Sequence, residues 1–185
     1  MDLLEFKDTE LYFEEALPAE IVVLLDRASA GYGGDDAELS LLRAYFMAPE
    51  NLTVLVALYR YYFYQHRLRD ALTVVERAIE IAANRLGLPR DWRRMDEGSL
   101  AVAASRSFGL LRFHLLAMKA LGVVLLRLQE PVRARACLAK LADLDRRDQL
   151  GVRSLLQVVD AVLATGDADD GDAEEPLPRR EVRYG

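Results

Sequence analysis

Two histidines, one cysteine, a run of aspartates and one glycine-rich stretch are the residues whose types could carry chemistry. Their settings argue against it in each case. His66 falls where a helical pattern breaks, and there it most simply faces the carbonyls at a helix C-terminus. His114 lies among Leu110, Leu111, Phe113 and Leu115, the surroundings of a core or edge histidine, and two isolated histidines do not supply the three or four ligands that zinc requires. Cys137 sits between Ala136 and Leu138 on a helical run and reads as a small buried residue. As the single cysteine it excludes an intrachain disulfide and any multi-cysteine metal site. Asp167, Asp169, Asp170 and Asp172 lack the ordered spacing and closing glutamate of a calcium loop. Gly31, Gly33 and Gly34 follow a helical pattern, whereas a phosphate loop follows a strand. The expectation is a protein with no catalytic residue, no resident cofactor and no metal.

Residues suited to binding are more prominent. Tyr59 to Arg67 reads YRYYFYQHR. Successive helical residues point about 100° apart, so these aromatics cannot all enter one core. A second candidate contact is Trp92-Arg93-Arg94, whose alternative is an ordinary surface loop.

The elements that must position these residues are helical. Apolar residues recur at three- and four-residue intervals, as in Ile21, Leu24, Leu25, Ala28 and in Leu68, Leu72, Val75, Ile79. This predicts helices from about Glu10 to Leu163 and an all-α fold. Breaks are expected at Gly31 to Gly34, Ala48 to Asn51, around His66-Arg67, at Leu86 to Pro89, at Gln129 to Pro131 and near Asp145 to Asp148. Asp35 with Glu38 suggests a capping box, Asp70 precedes an amphipathic run, and Pro131 suits a first helical turn. Beyond Thr165 the chain becomes GDADDGDAEEPLPRREVRYG, too poor in apolar surface to offset ordering entropy. The expected organisation is one domain over 1–165, followed by a disordered acidic tail, 166–185.

At 185 residues, 52% apolar and 29% charged, the composition is that of one soluble globular domain. A net charge of -6 argues against nucleic acid as a partner. The acidic N-terminus lacks the pattern of an export signal. Leu110 to Leu128, the most apolar stretch, contains Arg112, His114, Lys119 and Arg127, costly at bilayer depth, and is read as a buried helix and not a membrane insertion. A cytoplasmic location is expected. The lysine content, only Lys7, Lys119 and Lys140 against many arginines, points to a bacterium with a GC-rich genome.

Internal periodicity organises the rest. Ala37 and Ala71 lie 34 residues apart, the tetratricopeptide period. Around them the first unit, 18–51, offers Ile21, Leu24, Leu25, Ala28, Ala37, Leu41 and Pro49. The second, 52–85, offers Leu55, Leu58, Tyr59, Tyr62, Ala71, Val75 and Ala78. The third, 115–148, offers Met118, Leu121, Gly122, Leu125, Ala134 and Leu138. Between the last two lies an insertion, 86–114, whose apolar end is expected to lengthen the first helix of the third unit. Val158, Val159 and Val162, in a capping helix over 149–165, would close one end of the stack, and Tyr12 with Phe13 the other.

On these residues the chain resembles a tetratricopeptide protein with three degenerate repeats. It departs from the signature in lacking the tryptophan throughout, and it keeps the glycine only at Gly122. The resemblance implies antiparallel hairpins stacked as a short right-handed solenoid whose first helices line a concave groove. It places Asp26, Val56, Arg60, Phe63, Lys119, Val123 and Arg127 on that groove, with Tyr64 beside them and Trp92 as a separate contact. The lysine and asparagine clamp of the co-chaperones that grip heat-shock protein C-termini is missing, since the matching positions hold Val22, Asp26, Ala57, Leu116 and Ala120. The implied function is a non-catalytic adaptor or assembly chaperone for an acidic or amphipathic polypeptide. The alternatives are an oligomerising structural subunit, with self-association through its apolar patches, and an enzyme whose pocket the sequence does not reveal.

Overall fold

The computed structural model describes residues 16–31 and 34–169. Among the described residues there are eight α-helices and no strand, as the hydrophobic spacing predicts. They are α1 (Ala19–Ala30), α2 (Asp35–Met47), α3 (Leu52–Tyr64), α4 (Leu68–Leu86), α5 (Glu97–Arg106), α6 (Phe108–Arg127), α7 (Pro131–Leu144) and α8 (Arg153–Asp169). Short turns join α1 to α2, α3 to α4 and α6 to α7, and the members of each pair pack together. Between pairs α2 meets α3 and α4 meets α6, while α5 lies on α6 and α8 on α7.

Small residues set how closely the paired helices approach. Ala37, Ala71 and Ala134 are all fully buried, at the positions the internal alignment gives them. On α6, Gly122 faces Leu138 of α7 so closely that an added Cβ would fall 2.6 Å from Leu138 Cδ2. The larger alignment residues fill the remaining space, and Leu55, Met118, Leu125 and Leu138 are each at most 2% exposed.

The second and third hairpins close with the same turn. His66 and Gln129 adopt left-handed backbones, with φ of 57° and 60°. In each turn the following residue donates its N–H back into the first helix, Arg67 to Tyr62 O and Glu130 to Leu125 O. Ala71 and Ala134 then follow at the same interval. Pro131 opens α7 in its first turn, and Asp70 lies in the first turn of α4.

The insertion is ordered by its own caps. Gly87, at φ 68°, ends α4 with the Leu88 N–H donating to Ala83 O, a closure that favours glycine. Leu88 and Met95 are buried, and a 3-10 turn, Trp92–Arg94, lies between them. Asp96 and Ser99 form a reciprocal capping box that starts α5. Arg106 at the far end of α5 donates back to Leu86 O.

Several sequence expectations are corrected. The apolar end of the insertion does lengthen α6, but α5 is a separate helix because Ser107 is extended (φ -162°) and caps α6 through the Leu110 N–H. α2 has Gly34 at its cap position and Asp35 as its first helical residue, so its helix starts one residue earlier than a cap at Asp35 would set; the side chain of Asp35 lies outside the described ones. Glu38 accepts from Tyr62 and Arg67. On α8, Val159 is buried, whereas Val158 and Val162 are exposed; the inward stripe is Leu155, Leu156, Val159 and Leu163, continuing from Val152 just before the helix. That helix runs through Asp169, past the Thr165 boundary expected for the domain. The first described helix begins at Ala19, and Tyr12, Phe13 and the tail beyond Asp169 lie outside the described residues.

α6 is long and apolar enough to cross a membrane by length and composition. Here α4, α5 and α7 pack against it, and Leu111, Phe113, Met118 and Val124 are buried.

Candidate partner-binding face

α3 is apolar on most of its circumference because it lies between α2 and α4 and reaches α6 at its C-terminal end. Leu58, Tyr59, Tyr61, Tyr62 and Phe63 are all buried. Arg60 is half-buried, and Tyr64 remains 39% exposed. The aromatic stretch therefore divides between two structural environments.

On one side Tyr62 is fixed by charge. Its hydroxyl donates to Glu38 Oε1 at 3.2 Å, and the Arg67 guanidinium lies 4.5 Å from its ring centroid. Arg67 Nη1 reaches both Glu38 oxygens at 2.7 Å, and its Nε reaches Asp70 at 2.7 Å. Burial, with the Glu38 carboxylate beside it, pushes the Tyr62 phenol up to about 12. This cluster ties α2 to the α3–α4 turn and offers no open donor set.

On the other side Phe63 meets α6. The Arg127 guanidinium sits 4.8 Å from the Phe63 ring centroid, a cation–π contact between the second and third hairpins. Tyr59 and Tyr64 lie 5.8 Å from Phe63, Tyr64 in an edge-on arrangement. The Tyr59 hydroxyl is buried with no hydrogen-bond partner, and burial raises its pKa. Val56 and Val123 are half-buried against the core. Phe63, Tyr64 and Arg127 thus form one continuous face with an exposed cation, an exposed phenol and an aromatic floor.

Three sequence candidates are placed differently. Lys119 donates its ammonium to Leu150 O in the loop before α8, and burial lowers its pKa against the pull of Asp148. That cation is committed to the fold. Asp26 is exposed on α1. Trp92 is no loose loop residue: it packs against the core, with Arg93 stacked 4.4 Å from its ring centroid.

Trp92 also lines a pocket of about 140 Å³ that sequence reasoning missed, shared with Glu76, Glu80, Asn84, Arg90 and His114. His114 is 1% exposed, and neither of its ring nitrogens makes a hydrogen bond. Burial pushes its pKa down to about 4, and the nearby Ile79 backbone, outside hydrogen-bond geometry, opposes this. The carboxylates of the pocket are engaged, Glu76 with Arg133 and Glu80 with Arg77 and Arg90. Among the described residues no three potential ligands are grouped to hold a metal ion. Cys137 is buried, its Sγ donating to Met118 O at 3.3 Å, and burial pushes the thiol up to about 12, far from a reactive thiolate.

No protein-family model matches the chain, and no solved structure matches it. It is 45% identical over 159 residues to a protein of Azotobacter chroococcum mcd 1 described as an uncharacterized 19.8 kDa protein in the nifW 5' region. The similarity spans 86% of this chain and 89% of that protein. The chain belongs to the family of that 19.8 kDa protein.

Proposed function

We propose that the protein is a non-catalytic adaptor or assembly chaperone of the cytoplasm, a short tetratricopeptide-like solenoid that holds a partner polypeptide on the face formed by α3 and α6. The single observation that carries this reading is the Phe63–Arg127 contact. It joins the first helices of two hairpins and sets an exposed guanidinium beside exposed Tyr64. Tyrosine and arginine concentrate binding energy at protein interfaces, and arginine over an aromatic ring can still pair with a carboxylate. The occupant that fits is an amphipathic segment with an apolar anchor and an acidic group.

The relative's description is a location and not an activity, but it nominates a first partner to test, the product of nifW. Purified protein titrated with that product by calorimetry should bind, and Arg127→Glu should weaken binding about tenfold while the circular dichroism spectrum stays unchanged. Binding unaltered by Arg127→Glu and by Tyr64→Ala together would remove this face from consideration. A null titration would redirect the search to proteins captured from the native cytoplasm.

A further inference from the structure

The first hairpin carries an apolar face that no other part of the described chain covers. Its inner side holds Ile21 and Ala28 of α1 with Ala37, Leu41 and Ala44 of α2, all buried. The opposite side exposes Val23 (49%), Phe46 (77%) and Met47 (49%). With Leu24 they line an open depression of about 600 Å³, bordered by Glu20, Arg27 and Arg43. Among the described residues none of these three charged groups forms an ion pair. Monomers seldom leave contiguous apolar surface rimmed by charge without using it.

The charge order along α1 selects the occupant. Glu20, Val23, Leu24 and Arg27 form one stripe on the exposed side, and the midpoint between Glu20 and Arg27 falls between Val23 and Leu24. Two turns of helix separate the two charges, about 10 Å. We propose that this face binds a second copy of the chain, the two α1 helices crossing antiparallel on a two-fold axis at Val23 and Leu24. Glu20 of each copy then meets Arg27 of the other, and Phe46 and Met47 close over the apolar centre. A parallel arrangement would set Glu20 against Glu20 and Arg27 against Arg27. An isologous interface requires this kind of self-complementarity. A face only about 18 Å long is small beside standard interfaces, so the dimer dissociates in the micromolar range.

The test uses the full chain in a sedimentation-velocity concentration series. The wild type should pass from monomer to dimer as concentration rises. Glu20→Arg alone and Arg27→Glu alone should each weaken dimerisation at least tenfold, because each variant sets like charges opposite one another. An equimolar mixture of the two variants should restore the dimer, since every pair is then opposite in sign. Both substitutions lie on exposed positions, and unchanged melting temperatures would show that the fold is retained. A wild type that stays monomeric at every concentration overturns the proposal, as does a mixture that fails to regain the dimer. Hydrogen exchange supplies one more outcome: protection of this face in a monomer, lost on deletion of residues 1–15, overturns the proposal in favour of an occupant from within the chain.

Discussion

The imidazole of His114 is buried between α4 and α6 with no hydrogen bond to either nitrogen. With a folded pKa near 4 against the ordinary 6.5, it stays neutral in the native state and takes a proton on unfolding. The stability it allows is therefore complete above about pH 6.5 and declines as the pH falls toward 4, by at most roughly 3 kcal/mol at 1.36 kcal/mol per unit. The exposed carboxylates lowered by their partners, Glu80 and Asp96, lose their contribution as the pH falls below their ordinary values of 4.5 and 3.8, under about pH 5. Urea unfolding of the wild type at pH 7.5 and pH 5 should show the decline, and His114→Gln should flatten it. Equal slopes in the two proteins would assign the acid sensitivity elsewhere. Gly122 gives a second prediction at this scale. Alanine would gain helix propensity of up to about 1 kcal/mol but would place Cβ against fully buried Leu138. Overpacking of about 1–3 kcal/mol should win, and Gly122→Ala should lower the melting temperature, whereas Gly122→Ala with Leu138→Val should recover part of the loss.

At the scale of elements, the hairpins were legible wherever a turn interrupts the apolar spacing. The breaks at Gly31, Ala48, His66, Gly87, Gln129 and Asp145 all appear in the fold, since each carries residues that suit a turn or a left-handed backbone. The break at Ser107 was not legible. Apolar residues continue across it from Leu100 to Leu115, and a single extended serine with a competent side-chain oxygen ends one helix and caps the next. Glu38, expected to cap its own helix, shows what local motifs leave out: its carboxylate accepts from Tyr62 and Arg67, tertiary partners 24 and 29 residues away. Ser107→Ala should cost about 1 kcal/mol through the lost cap, and Ser107→Asp should retain most of it. Chemical denaturation of both variants decides the matter. If alanine is neutral, the α5–α6 break is held by packing and not by the cap.

Across the whole molecule, the internal alignment picked out alanines that are fully buried, Ala37, Ala71 and Ala134, as small residues suit the places where helices cross. It placed the groove side chains less well, because their environment depends on neighbours far away in sequence. Lys119 is drawn off by a loop that begins 26 residues later at Asp145, and Phe63 becomes part of the core while still forming the floor under Arg127. Phe63→Ala would open a cavity costing about 3–5 kcal/mol, so a loss of binding in that variant would not separate recognition from folding. Arg127 is the better probe. It is exposed, and its contact with Phe63 is worth only about 0.5–1 kcal/mol at an exposed site. On a chain of net charge -6, a local cation recruits acidic groups against the overall field, and salt screens that attraction over roughly 8–10 Å. Partner association should therefore slow several-fold between about 50 mM and about 500 mM salt, the range over which screening becomes strong. Arg127→Glu should slow it further and remove most of the salt dependence, while Tyr64→Ala should raise the dissociation rate and leave the salt dependence intact. Surface plasmon resonance at the two salt concentrations separates these effects. If association in the wild type is insensitive to salt, Arg127 does no steering, and recognition on this face is apolar.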